Sequence, residues 1–92
     1  MTKVERNRAR SRSEIVVDGQ VAGVADYRES GTTVMSPHTE IAASMRGRRL
    51  AAKLVRAALD DVRDTNRTVI PRCWFVAQFI HDHPEYHDLH SA

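Results

Sequence analysis

The chain has 92 residues, room for one small domain and no second core. Its hydrophobic fraction of 41% and charged fraction of 28% suit an ordinary globular protein, and a net charge of +2 is too small to argue for a nucleic-acid binder. No apolar run approaches a membrane span, and one cysteine excludes an internal disulfide framework, so a reducing cytoplasm is the expected compartment.

Residues 1–12 carry Lys3, Arg6, Arg8, Arg10 and Arg12 against Glu5, without apolar periodicity or the core of a secretory signal. This predicts a basic, flexible, solubilising arm ahead of a domain at 13–92. No aromatic is interleaved with the charges, so the arm lacks a stacking surface for single-stranded nucleic acid. Ser13 to Val17 reads as a strand, and Asp18-Gly19 is a strong hairpin signal. Gln20 to Arg28 continues as a second strand, with Val21, Gly23, Ala25 and Tyr27 on one side by alternation. Glu29-Ser30-Gly31 marks a turn, and Thr32 to Ile41 is a third extended segment. Pro37 inside it removes a ladder donor and points to an edge, a bulge or a local opening of the sheet.

A long helix is predicted from about Gly47 to Asp64. Leu50, Leu54, Ala58 and Val62, flanked by Ala51, Val55 and Leu59, form one apolar face. Its charges run against the helix dipole: Arg46, Arg48, Arg49, Lys53 and Arg56 crowd the first half, while Asp60, Asp61 and Asp64 sit at the far end. Each misplaced charge costs about 0.3–1 kcal/mol in a bare surface helix. Asn66 suits a helix stop, Thr68-Val69-Ile70 a short buried strand ended by Pro71, and Cys73 to His83 a second helix closed by Pro84. The expected fold is a small α/β domain with a mixed, largely antiparallel sheet. One long helix follows the third strand, as a crossover to the fourth, and a short helix lies at the carboxyl end.

The Arg46–Ala51 segment opens the long helix beyond a strand end, where backbone N–H groups hold anions. Gly47 allows close backbone approach, and the arginines offer forked contacts to phosphate. A solvated basic face is the competing explanation, but no acid occurs between Ile41 and Leu59. Taken alone, Cys73 reads as a small buried hydrophobe, as lone cysteines usually are. His38 is the one histidine outside the terminal cluster, and taken alone reads as a hydrogen-bonded structural residue. The terminal run His81-Asp82-His83-Pro84-Glu85-Tyr86-His87 meets no metal-ligand spacing and is read as structural. Trp74 is read as a packing or interface residue.

The chain resembles the small, minimal members of the GNAT acetyltransferase superfamily. The acyl-coenzyme A loop of that superfamily, Arg/Gln-x-x-Gly-x-Gly/Ala, is matched by Arg46-Gly47-Arg48-Arg49-Leu50-Ala51 at Arg46 and Ala51. The minimal family's features continue through Asp18-Gly19, Ala22-Gly23, Tyr27, His38-Thr39-Glu40-Ile41, Ile70-Pro71-x-Cys73, Phe75-Val76, Ile80 and His83-Pro84-Glu85-Tyr86. They span about Ser13 to Leu89 in matching order. One departure stands out: the loop glycine is Arg49 here, which either crowds the ligand or turns outward and leaves Gly47 to suffice.

The resemblance implies transfer of an acetyl group from acetyl-coenzyme A to an amine. It puts the pyrophosphate at Arg46, Gly47, Arg48, Arg49, Leu50 and Ala51, and pantetheine where the third and fourth strands splay. A backbone N–H near Ile41 would polarise the thioester carbonyl. It makes three side chains the candidate catalytic residues: Cys73 as covalent acyl acceptor or proton donor to the leaving thiolate, His38, on the strand opposite Cys73, as a base or as the group that lowers the thiol pKa, and Glu40 as a further base. Larger relatives have two more helices after the first strand and a final strand pair, so the acceptor here is expected to be unwalled and can be a protein amine. Exposed sheet edges favour a homodimer. The rival readings are a non-catalytic module holding coenzyme A or another phosphorylated ligand, and a basic nucleic-acid-binding protein.

Overall fold

The computed structural model describes residues 1–46 and 49–91. Five strands lie in sequential order, β1 (Thr2–Asn7), β2 (Arg12–Val17), β3 (Gln20–Ser30), β4 (Thr33–Ile41) and β5 (Thr68–Pro71). The first four are antiparallel, and β5 joins β4 in parallel through the helix α1 (Leu50–Asp64). Helix α2 (Trp74–Asp82) and a 3₁₀ segment (Pro84–Leu89) complete the domain. This is the mixed, mainly antiparallel α/β architecture expected, with the long helix after the strand around Pro37.

The predicted flexible arm is corrected. Residues 2–7 form an edge strand paired with β2, from Thr2 opposite Val17 to Asn7 opposite Arg12. Only one residue on its inward row is apolar, so no hydrophobic period was visible. Val4 packs on the core, while Arg6 takes the next inward place because polar partners receive it. Its guanidinium donates to the Tyr27 hydroxyl at 2.9 Å, lies 4.8 Å from that ring, and pairs with Glu29 at 3.2 Å and Asp61 at 3.4 Å. These contacts hold the Arg6 guanidinium above the usual arginine value, chiefly through the Tyr27 hydrogen bond.

The Asp18-Gly19 turn has positive φ at both residues, 49° and 85°, as a tight hairpin between right-twisted strands requires. The expected alternation along β3 is interrupted. Ile15 pairs with Gly23 and Val16 with Val21, leaving Ala22 as an extra residue that turns into the core. Val21 is consequently 49% exposed. Helix α1 buries Leu50, Leu54, Val55, Leu59 and Val62. Leu50 and Leu54 meet Ile15, Val17, Ala22 and Ala25 from the sheet. Val55 and Leu59 meet Val69, Val76, Phe79, Ile80, Tyr86 and Leu89. The helix thus joins both halves of the core. Asn66, at φ 56°, ends the turn after it.

Candidate functional site

The site begins at an irregularity in β4. Asp26 pairs with His38 and Arg28 with Met35, so two steps along β3 match three along β4. The extra residue falls at Ser36–Pro37, where proline cannot supply a ladder donor. Beyond it the parallel pairing also stops: β5 accompanies β4 only from Thr33 to Ser36. The last rung is the Cys73 N–H donating to the Ser36 carbonyl at 2.8 Å. From there β4 runs on to Ile41 while the other chain turns away into α2, and a wedge opens between them.

Strand alternation sorts the wedge residues. Ile41 packs on the core cluster below α1, so Thr39 shares that face and His38 and Glu40 take the other. Accordingly Cys73 Sγ lies 3.7 Å from Thr39 Oγ1, and the His38 Nε2 and Glu40 Oε2 atoms are 3.9 Å apart on the exposed side. The structure therefore brings together His38 with Glu40, and Cys73 with Thr39. His38 stands on the strand opposite Cys73, as expected, but its side chain projects from the other face beside Glu40 and does not meet the thiol. The physical reason is the two-residue period of a strand. In the sequence Thr39 is one residue of the His38-Thr39-Glu40-Ile41 run, and its shared parity with Ile41 is the signal that singles it out.

Ala42 N–H donates to the Ala22 carbonyl at 2.7 Å, so the Ile41 N–H points the opposite way, into the wedge. A groove of about 350 Å³ continues from that point, lined by Ile41, Met45, Arg46, Arg49, Leu50, Ala51, Ala52 and Phe75. The start of α1 forms one end of it. Among the described residues no side chain caps this helix end, its first turn holds no acid, and its first backbone bond runs from the Lys53 N–H to the Arg49 carbonyl. The preceding N–H groups have no intrahelical acceptor. Gly47 and Arg48 lie outside the described residues.

The inverted charges of α1 now separate into two groups. At its carboxyl half, Asp60 accepts from the Tyr86 hydroxyl at 2.6 Å and Asp61 pairs with Arg6. Arg56 meets Glu85 at 3.5 Å and Arg63 meets Asp88 at 2.9 Å. Those charges serve tertiary clamps. At the amino end, the side chains of Arg46, Arg49 and Lys53 form no ion pair or hydrogen bond among the described residues. Arg49 occupies the N-cap with φ 58° and ψ 23°, the left-handed region that glycine enters freely. Arginine is accommodated there by adopting glycine's conformation, with its side chain exposed.

The terminal histidines are engaged elsewhere. His83 Nδ1 lies 2.7 Å from the Phe79 carbonyl with its ring stacked 3.9 Å from the Phe79 centroid, and His87 Nε2 lies 3.1 Å from the His81 carbonyl. Among the described residues no group of three His, Cys, Asp or Glu is arranged to hold a metal ion. Trp74 is 77% exposed at the start of α2, so it is not a core packing residue. No described helix is long and apolar enough to cross a membrane.

A model of the GCN5-related N-acetyl-transferase family matches residues 12–89. Protein NATD1 of Danio rerio is 32% identical over 88 residues, which are 91% of this chain and 80% of that protein. Protein NATD1 of Homo sapiens is 29% identical over 84 residues, 89% of this chain and 74% of that one. The fold is similar to the solution structure of a GCN5-like protein from Staphylococcus aureus, with a TM-score of 0.74 at 17% identity over 98% of this chain and 88% of that one. It is also similar to the crystal structure of ribosomal-protein-alanine N-acetyltransferase from Brucella melitensis, with a TM-score of 0.62 at 16% identity over 88% of this chain and 61% of that one.

Proposed function

The chain belongs to the GCN5-related N-acetyltransferase family, and on that premise we propose that it moves an acetyl group from acetyl-coenzyme A to an amine. The observation that carries this reading is the groove between Ile41 and the start of α1, where arginines without partners among the described residues meet an apolar wall. Such a site fits a ligand with a pyrophosphate at one end and a thioester arm at the other. Acetyl-coenzyme A, when bound, supplies the activated acyl thioester.

Arg46 and Arg49, with the N–H groups at Leu50 and Ala51, neutralise the pyrophosphate, and the family motif assigns Gly47 and Arg48 to the same contact. Met45, Leu50 and Phe75 flank the arm, and the Ile41 N–H stabilises negative charge developing on the carbonyl oxygen. Cys73, at the wedge, gives its proton to the departing sulfur. His38, on the far face beside Glu40, takes the proton of the attacking amine, and Glu40 supports the imidazolium that results. Acyl donor and acceptor thus approach from opposite faces of the sheet. The acceptor face carries no helix among the described residues, which leaves room for a protein amine. A reducing cytoplasm suits the free thiol of Cys73.

Calorimetric titration with acetyl-coenzyme A tests the binding step, and the absence of any heat at millimolar ligand would sink the proposal. Cys73→Ala and His38→Ala are each expected to lower acetyl transfer by about a hundredfold, the scale of acid–base catalysis. Full activity in both variants overturns the catalytic assignment. Acetyl found on Cys73 by mass spectrometry would replace direct transfer with a covalent route.

A further inference from the structure

We propose that Thr39 is a positioning residue for the Cys73 thiol, a role that rests on the acyl-transfer reading above. The backbone of Cys73 is tied to β4 by its N–H bond to Ser36, but that bond leaves the side-chain rotamer unset. Cys73 stands at the N-cap of α2, where its carbonyl accepts from the Ala77 N–H but its side chain bonds no helix N–H, so the helix does not hold the sulfur either. What the thiol does meet is the Thr39 hydroxyl, 3.7 Å away across the wedge, within reach of a sulfur hydrogen bond. Both residues are half-buried, which limits competition from water.

A hydroxyl both accepts and donates, which is the property the reaction needs at this place. Before transfer, Thr39 Oγ1 accepts the Cys73 S–H and holds the sulfur toward the wedge. During transfer the Cys73 S–H bond breaks and the proton forms an S–H bond on the departing sulfur, leaving a Cys73 thiolate. The Thr39 O–H then turns and donates to that thiolate. Solvent returns a proton to Cys73 after receiving the one His38 took from the amine, so no group is oxidised or reduced. His38 cannot take this part, because it projects from the opposite face beside Glu40.

Thr39→Val keeps the branched shape and removes the hydroxyl; Thr39→Ser keeps the hydroxyl. The expected result for valine is a kcat lower by about three- to tenfold, the worth of one hydrogen bond, with KM for acetyl-coenzyme A within about twofold. Serine restores most of kcat. Iodoacetamide labels Cys73 more slowly in the valine variant without any coenzyme present. In a Cys73→Ala background the valine substitution has no further effect, because the thiol it orients is gone. Wild-type kcat in Thr39→Val, or an undiminished extra loss in the Cys73→Ala background, overturns the role of Thr39. Wild-type kcat in Cys73→Ala alone overturns the reading of Cys73 on which that role depends.

Discussion

The Tyr86 hydroxyl donates to the Asp60 carboxylate at 2.6 Å, and the Arg56 guanidinium lies 3.3 Å from the same phenolic oxygen. This contact fastens the carboxyl-terminal segment to the outer side of α1 and gives Asp60 a use at the dipole-disfavoured end of the helix. Burial, then the Asp60 hydrogen bond, pushes the Tyr86 phenol above its ordinary value. A group whose folded pKa is raised stabilises fully below its unfolded pKa, about 10 for tyrosine, and loses that contribution as pH rises through the folded value. Tyr86→Phe is expected to lower stability by about 1 kcal/mol at pH 7 and to flatten the decline above pH 10. Urea unfolding across pH 7 to 11 measures both, and an alkaline decline as steep as wild type would show that Tyr86 is not its source.

Arg49 holds a left-handed backbone at the mouth of the groove. That conformation costs a non-glycine residue about 1–2 kcal/mol, part of which is offset by the greater unfolded-state freedom of glycine. Arg49→Gly is therefore expected to stabilise the fold by about 1 kcal/mol and raise Tm. Loss of the guanidinium should at the same time weaken acetyl-coenzyme A binding about tenfold. Stability and affinity moving in opposite directions is the signature of strain kept for binding. Tighter binding in the glycine variant would mean that Arg49 obstructs the site.

Gly23 lies directly opposite Ile41 in the β3–β4 ladder. A Cβ there would collide with Ile41 Cδ1 and stand 2.7 Å from the Glu40 carbonyl oxygen. The Ile41 side chain can swing aside, but the Glu40 carbonyl is part of the strand. Gly23→Ala is expected to cost about 1–3 kcal/mol and to displace the end of β4 that forms the groove wall. Thermal unfolding and acetyl-coenzyme A calorimetry should both register the change. An unaltered Tm would show that the two strands separate more easily than their close approach implies.

Much of the chain announced itself locally. The Asp18-Gly19 turn, the apolar stripe from Leu50 to Val62 and the Pro37 irregularity each follow from short-range rules, and each was legible. Edge strand β1 was not, because its inward row alternates Val4 with Arg6, and an inward arginine reads as solvent-facing until Tyr27, Glu29 and Asp61 are seen around it. Val21 does not share a side with Ala25, as strict alternation predicts, because the extra residue at Ala22 shifts the parity of the strand.

For the site, the sequence by itself determined the family and the unbalanced cluster of cations before α1, since motif spacing and helix polarity are one-dimensional properties. Only the tertiary structure decided which of those charges are spoken for. Asp60, Asp61, Arg56 and Arg63 find partners far away in the chain, while Arg46 and Arg49 are left facing the groove. It also decided that Thr39, rather than His38, meets Cys73. Two adjacent residues of a strand face opposite sides, and which of them faces inward depends on where the bulge falls and what packs below it.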